Sequence, residues 1–102
     1  MKFIFVYITN PTEEEAKKLA RHLLKSNLIA CANIFPVKSM YWWKKRINED
    51  KEFVLIGKTI DENFEIVKKE VERLHFYTAP CIVKIPVSFN RKYSQWMESV
   101  LK

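Results

Sequence analysis

The chain is expected to fold as one α+β domain over residues 1–102, with an antiparallel sheet and the element order β-α-β-β-α-β plus a C-terminal helix. Three observations predict this. Two helical stripes are separated by short runs of β-branched and aromatic residues. Two of those runs, Leu28–Pro36 and Glu52–Thr59, follow each other with no helical pattern between them. No linker, repeat or low-complexity stretch divides the chain.

Each element has its own signal. Lys2 to Ile8 reads as a buried strand, broken by Asn10-Pro11-Thr12. Thr12 with Glu15 makes a capping box, and glutamates fill the first turn of the helix that follows. Ala16, Leu19, Ala20, Leu23 and Leu24 form its apolar stripe, and Asn27 suits a left-handed cap. The second strand runs from Leu28 to Pro36, and Val37 to Arg46 continues extended. Asn48-Glu49-Asp50-Lys51 reads as a polar turn before a third strand, Glu52 to Thr59. Asp61 is the expected N-cap of a second helix with Phe64, Val67, Val71 and Leu74 on one face. Cys81 to Val87 is the fourth strand, at an edge because of Pro86. Asn90 opens a last helix carrying Tyr93, Trp96, Met97, Val100 and Leu101. This order is that of the ferredoxin-like split βαβ fold.

The second and third strands are long for a domain of 102 residues. Between them lies Met40-Tyr41-Trp42-Trp43, followed by Lys44-Lys45-Arg46. Exposing such a segment to water is unfavourable, so a partner is expected to cover it. A second copy of the chain in a closed ring is the expected partner, with Tyr41, Trp42 and Trp43 as the interface. The net charge of +6 permits anionic partners, but the cations are dispersed as on a solvated surface. No stretch is long enough to cross a bilayer, and no membrane partner is expected. Met1 to Tyr7 lacks the apolar region and cleavage site of a signal peptide. A cytoplasmic location follows as an expectation, with Cys31 and Cys81 as reduced thiols.

Several motifs occur in order: Leu28-Ile29-Ala30-Cys31-Ala32-Asn33, Tyr41-Trp42-Trp43, Asp50-x-Glu52, Lys58-Thr59, His75-x-Tyr77-x-x-Pro80 and Tyr93-x-x-Trp96. Together they resemble the CutA divalent-cation-tolerance proteins from Tyr7 to Leu101. The resemblance implies a ferredoxin-like fold and a tight trimer similar in architecture to the nitrogen-regulatory PII proteins. It also implies a role in tolerance of copper and other divalent metals, with no catalytic activity. Phe76 stands where the family usually has proline after the histidine. Ile8 and Leu74 stand where some relatives carry a cysteine and a second histidine proposed to bind copper.

His75, Cys31 and Cys81 are therefore the candidate copper ligands. A thiolate suits a soft metal, although a free cysteine is commonly a small buried hydrophobe. A histidine closing a helix can offer a neutral nitrogen to a metal or make a structural hydrogen bond. His22, on the first helix, reads as solvated. Lys58 is the candidate contact for a small anion in an intersubunit cleft, the alternative reading as a PII-like sensor. Its stem could equally cover apolar surface at a strand end.

No organic cofactor and no enzyme is expected. There is no nucleophile–base pair, Gly-rich loop or paired-carboxylate motif. Nucleic acid is not an expected partner either. The aromatic and glycine signature of RNA-recognition domains is absent from Lys51 to Ile60. Thr9 to Thr12 lacks the glycine and arginine of an acylphosphatase loop.

Overall fold

The computed structural model describes residues 1–101; Lys102 lies outside the described residues. The elements are β1 (Phe3–Asn10), α1 (Glu13–Lys25), β2 (Cys31–Trp43), β3 (Arg46–Ile60), α2 (Phe64–Leu74), β4 (Ile82–Val87) and α3 (Arg91–Val100). One sheet has the order β2-β3-β1-β4, and every neighbour is antiparallel. This is the ferredoxin-like arrangement expected from the element order.

Local chemistry sets the boundaries. The Thr12 hydroxyl accepts from the Glu15 amide at 3.1 Å, as the capping box requires. Asn27 takes a φ of 57°, and the Leu28 amide donates back to the Leu23 carbonyl at 3.0 Å. Asparagine tolerates that left-handed step, so α1 ends where the sequence indicates. Pro36 and Pro86 lie on β2 and β4, the two edge strands, where a missing amide donor is least costly.

Alternation along the strands gives the sheet two faces. On one, Ile4, Val6 and Ile8 of β1 and Leu55 of β3 meet Leu19, Ala20 and Leu23 of α1 and Val67 and Val71 of α2. Leu28 and Ile29 complete this core. Gly57 lies on this face, and a Cβ there would stand 3.0 Å from the Ile29 side chain, so glycine admits close packing. The other face is partly covered by α3 and its entry. Phe89 packs edge-on against Phe3, with ring centroids 5.6 Å apart, and Met97 is fully buried. Beyond α3, Phe35, Val83 and Ile85 of this face remain more than a third exposed.

Two expectations need correction. The turn between β2 and β3 is not at 48–51 but at Lys44-Lys45, because Trp43 pairs with Arg46. Both lysines have positive φ, 52° and 64°, as a two-residue hairpin of the I′ kind demands. Residues 48–51 lie inside β3, so this strand begins at Arg46 rather than Glu52. Asp61 does not cap α2. A short 3-10 turn, Asp61–Asn63, precedes that helix, and the Asp61 carboxylate instead binds the Lys84 ammonium at 2.8 Å.

Lysine is a poor residue for a left-handed backbone. Placing asparagine at 44 and glycine at 45 is expected to stabilise the protein by about 1 kcal/mol. The check is the denaturant midpoint at fixed chain concentration. A lower midpoint would mean the two lysine side chains stabilise more than the turn is strained.

Candidate functional site

The hairpin makes the molecule long, with principal extents of 46 × 24 × 21 Å. Its register divides the aromatic segment. Tyr41 and Trp43 share a face with their partners Asn48 and Arg46, and this face continues the half-exposed side of the sheet. Trp42 points the opposite way, opposite Ile47. Trp42 is 72% exposed and Trp43 58%. Thus the three residues read from sequence as one interface belong to two surfaces.

Two tyrosine–carboxylate pairs lie on the Tyr41 side. The Tyr41 hydroxyl donates to Asp50, which raises the phenol above its ordinary pKa. The Tyr77 hydroxyl donates to the buried Glu52 carboxylate at 2.6 Å. Burial first, then that carboxylate, pushes the Tyr77 phenol far up, so it stays a donor at any ordinary pH.

His75 positions Tyr77. Its Nε2 lies 2.8 Å from the Thr9 carbonyl oxygen, and its Nδ1 accepts the Tyr77 amide at 2.9 Å. A carbonyl only accepts and an amide only donates, so the ring is neutral with its proton on Nε2. Neither nitrogen is left over for a metal. His75 here ties the loop after α2 to the end of β1, the structural bond that sequence weighed against a ligand role. His75→Ala is expected to cost about 2 kcal/mol, one for each lost bond. Thermal unfolding of the metal-free protein checks this, and an unchanged transition would refute the structural role.

Cys31 opens β2 directly opposite Lys58. The Lys58 ammonium stands 3.5 Å from the Tyr93 hydroxyl and 5.1 Å from its ring centroid. Burial raises the Tyr93 phenol, the Cys31 thiol adds to that, and Lys58 opposes it. Within the protomer Lys58 thus rests against the Tyr93 phenol, and no carboxylate among the described residues pairs with its charge. Cys81 is an exposed free thiol just before β4. Among the described residues no three His, Cys, Asp or Glu side chains converge as a metal site. His75, Cys31 and Cys81 are thus not gathered into one centre within a protomer.

Other polar links escaped the sequence reading. His22 is not simply solvated: its Nε2 meets a Glu70 oxygen at 2.7 Å and joins α1 to α2. Arg73 first and His22 second hold the Glu70 carboxyl down to about 2. The buried Thr59 hydroxyl donates to the Leu28 carbonyl at 2.6 Å, and Asn63 donates to both at 3.3 and 3.2 Å. Both side chains fix the start of β2, a role visible only once the topology is known. A cavity of about 250 Å³ opens between the helices, with Lys18, Leu19, His22, Leu74 and Phe76 on its walls.

This fold and this pattern of side chains match one family model, the CutA1 divalent ion tolerance protein, over residues 4–100. The chain belongs to the CutA1 family. A relative from Archaeoglobus fulgidus named divalent-cation tolerance protein CutA is 43% identical over 99 residues, covering 96% of this chain and 97% of its own. A solved structure from the same organism, described as the periplasmic divalent cation tolerance protein CutA, superposes with a TM-score of 0.95 at 42% identity. It covers 98% of this chain and 99% of its own. CutA1 from Oryza sativa matches with a TM-score of 0.96 at 33% identity, covering 100% and 95%. The family is named for divalent-cation tolerance, not for a reaction.

Proposed function

We propose that the chain is a non-catalytic tolerance protein that acts as a cytoplasmic, PII-like homotrimer and binds copper or another divalent metal between its subunits. The observation that carries the reading is the uncovered sheet face of Phe35, Val83 and Ile85, continued along the hairpin by Tyr41 and Trp43. An apolar surface of this extent calls for a partner, and a second copy of the chain would bring the same apolar face to it. The family membership supports the metal role.

One protomer lacks three converging ligands among its described residues, so a metal site would take its donors from more than one copy. Cys81 is an exposed thiol and Cys31 a partly exposed one, and both suit a soft ion. His75 joins them only if its bond to the Tyr77 amide opens. Unpaired cysteines fit a reducing cytoplasm.

A native mass spectrum of the reduced protein, with and without limiting copper, tests this. A trimer that takes up whole-number copper, with zinc failing to compete, is the expected result. A monomer would overturn the assembly. A trimer retaining no copper would overturn the metal role and favour a sensor of small anions, with Lys58 as a contact.

A further inference from the structure

We propose that the Met40–Trp42–Ile47 face of the hairpin tip docks on an anionic phospholipid surface. These three side chains are 68%, 72% and 59% exposed. They lie on the face opposite Tyr41 and Trp43, away from the uncovered sheet face on which the proposed assembly rests.

Charge is sorted between the two faces. Lys38 and Lys51 stand directly opposite each other on the Trp42 side, and Lys44 and Lys45 form the turn beyond it. Glu49, opposite Met40, is the one acid among the hairpin residues of that side from Lys38 to Lys51. The other side carries Asp50 and Glu52, bound to tyrosines, with Arg46 as its one hairpin cation. Two lysines directly opposite across a ladder repel each other. An anionic surface relieves that repulsion. A protruding tip with tryptophan and aliphatic side chains ringed by lysines matches the membrane interface, where indole sits at headgroup depth and each cation contributes about 1 kcal/mol.

Single-stranded nucleic acid fits less well. Stacking needs successive aromatic platforms, and on this face Met40 and Ile47 flank a single indole. No helix of the described residues is long and apolar enough to cross a membrane, so the contact is interfacial. It revises the expectation of no membrane partner, which rested on spanning segments.

The test is flotation of the whole protein with vesicles of phosphatidylcholine alone or mixed with phosphatidylserine, at low and high salt. Binding to the mixed vesicles only, weakened by salt, is the expected result. Lys44→Ala with Lys45→Ala should reduce it roughly thirtyfold. A blue shift of tryptophan emission on binding should persist in Trp43→Phe and Trp96→Phe and vanish in Trp42→Phe. Failure to float, or equal binding to neutral vesicles, overturns the proposal. So does a Trp42→Ala protein whose oligomer mass falls, which would place Trp42 between copies. A single-stranded oligonucleotide that displaces the protein from the vesicles would reassign the face to nucleic acid.

Discussion

Leu55→Ala is expected to destabilise the protein by about 3 kcal/mol, a large fraction of the stability of a domain this size. Leu55 has no exposed surface and sits mid-sheet on β3, between Ile8 of β1 and Ile34 of β2. Its side chain points into the cluster that includes Leu23, Ile29, Val67 and Val71. Removing it takes away apolar burial and leaves a cavity that a strand hydrogen-bonded on both sides cannot collapse to fill. Chemical denaturation at fixed chain concentration measures the loss. Ile47→Ala, at the exposed tip, is the control and should change stability by less than about 0.5 kcal/mol. A Leu55→Ala loss under about 1 kcal/mol would mean that the core relaxes around the gap, against its close packing.

Trp43→Ala is expected to weaken self-association by about 2 kcal/mol or more at each interface, roughly thirtyfold, while leaving the protomer folded. Trp43 is too exposed to hold its own protomer together, yet it shares a face with Tyr41 and the uncovered part of the sheet. Large rigid aromatics dominate interfaces of this kind. Lys44→Ala, one residue away, removes a charge but no large apolar area, and should shift the dissociation constant little. Sedimentation across a dilution series separates the two. Equal effects would mean that the aromatic run does not anchor the assembly.

The architecture was legible because its signals are local. The stripe of Ala16, Leu19, Ala20 and Leu23, the Thr12 cap and the Asn27 stop each depend on residues within a few positions, and all three stand in the structure, although Leu24, expected on the stripe, is exposed. The hairpin turn misled for the same reason. Asn48 to Lys51 is polar enough to turn, whereas Lys44 and Lys45 take a backbone that favours glycine or asparagine. The ladder from Cys31–Lys58 to Trp43–Arg46 overrode those local preferences. Site residues were harder to read. The partner of His75, Thr9, is 66 residues away, and that of Tyr77, Glu52, is 25 away. A histidine in a loop carries the same letter whether its nitrogens face a metal or a carbonyl. Periodicity marks His22 as lying beside the core stripe, but only the packing of α1 on α2 supplies Glu70.

The strand order also bears on how the chain is made. β1 is made before both of its sheet neighbours, residues 53–60 and 82–87. The β2–β3 hairpin is contiguous in sequence and can zip as soon as it is synthesised, with its aromatic tip already formed. β1 must wait, apolar and unpaired on one edge, until residues 82–87 have emerged. Long-range pairings of this kind slow folding and leave nascent strand edges open to other molecules.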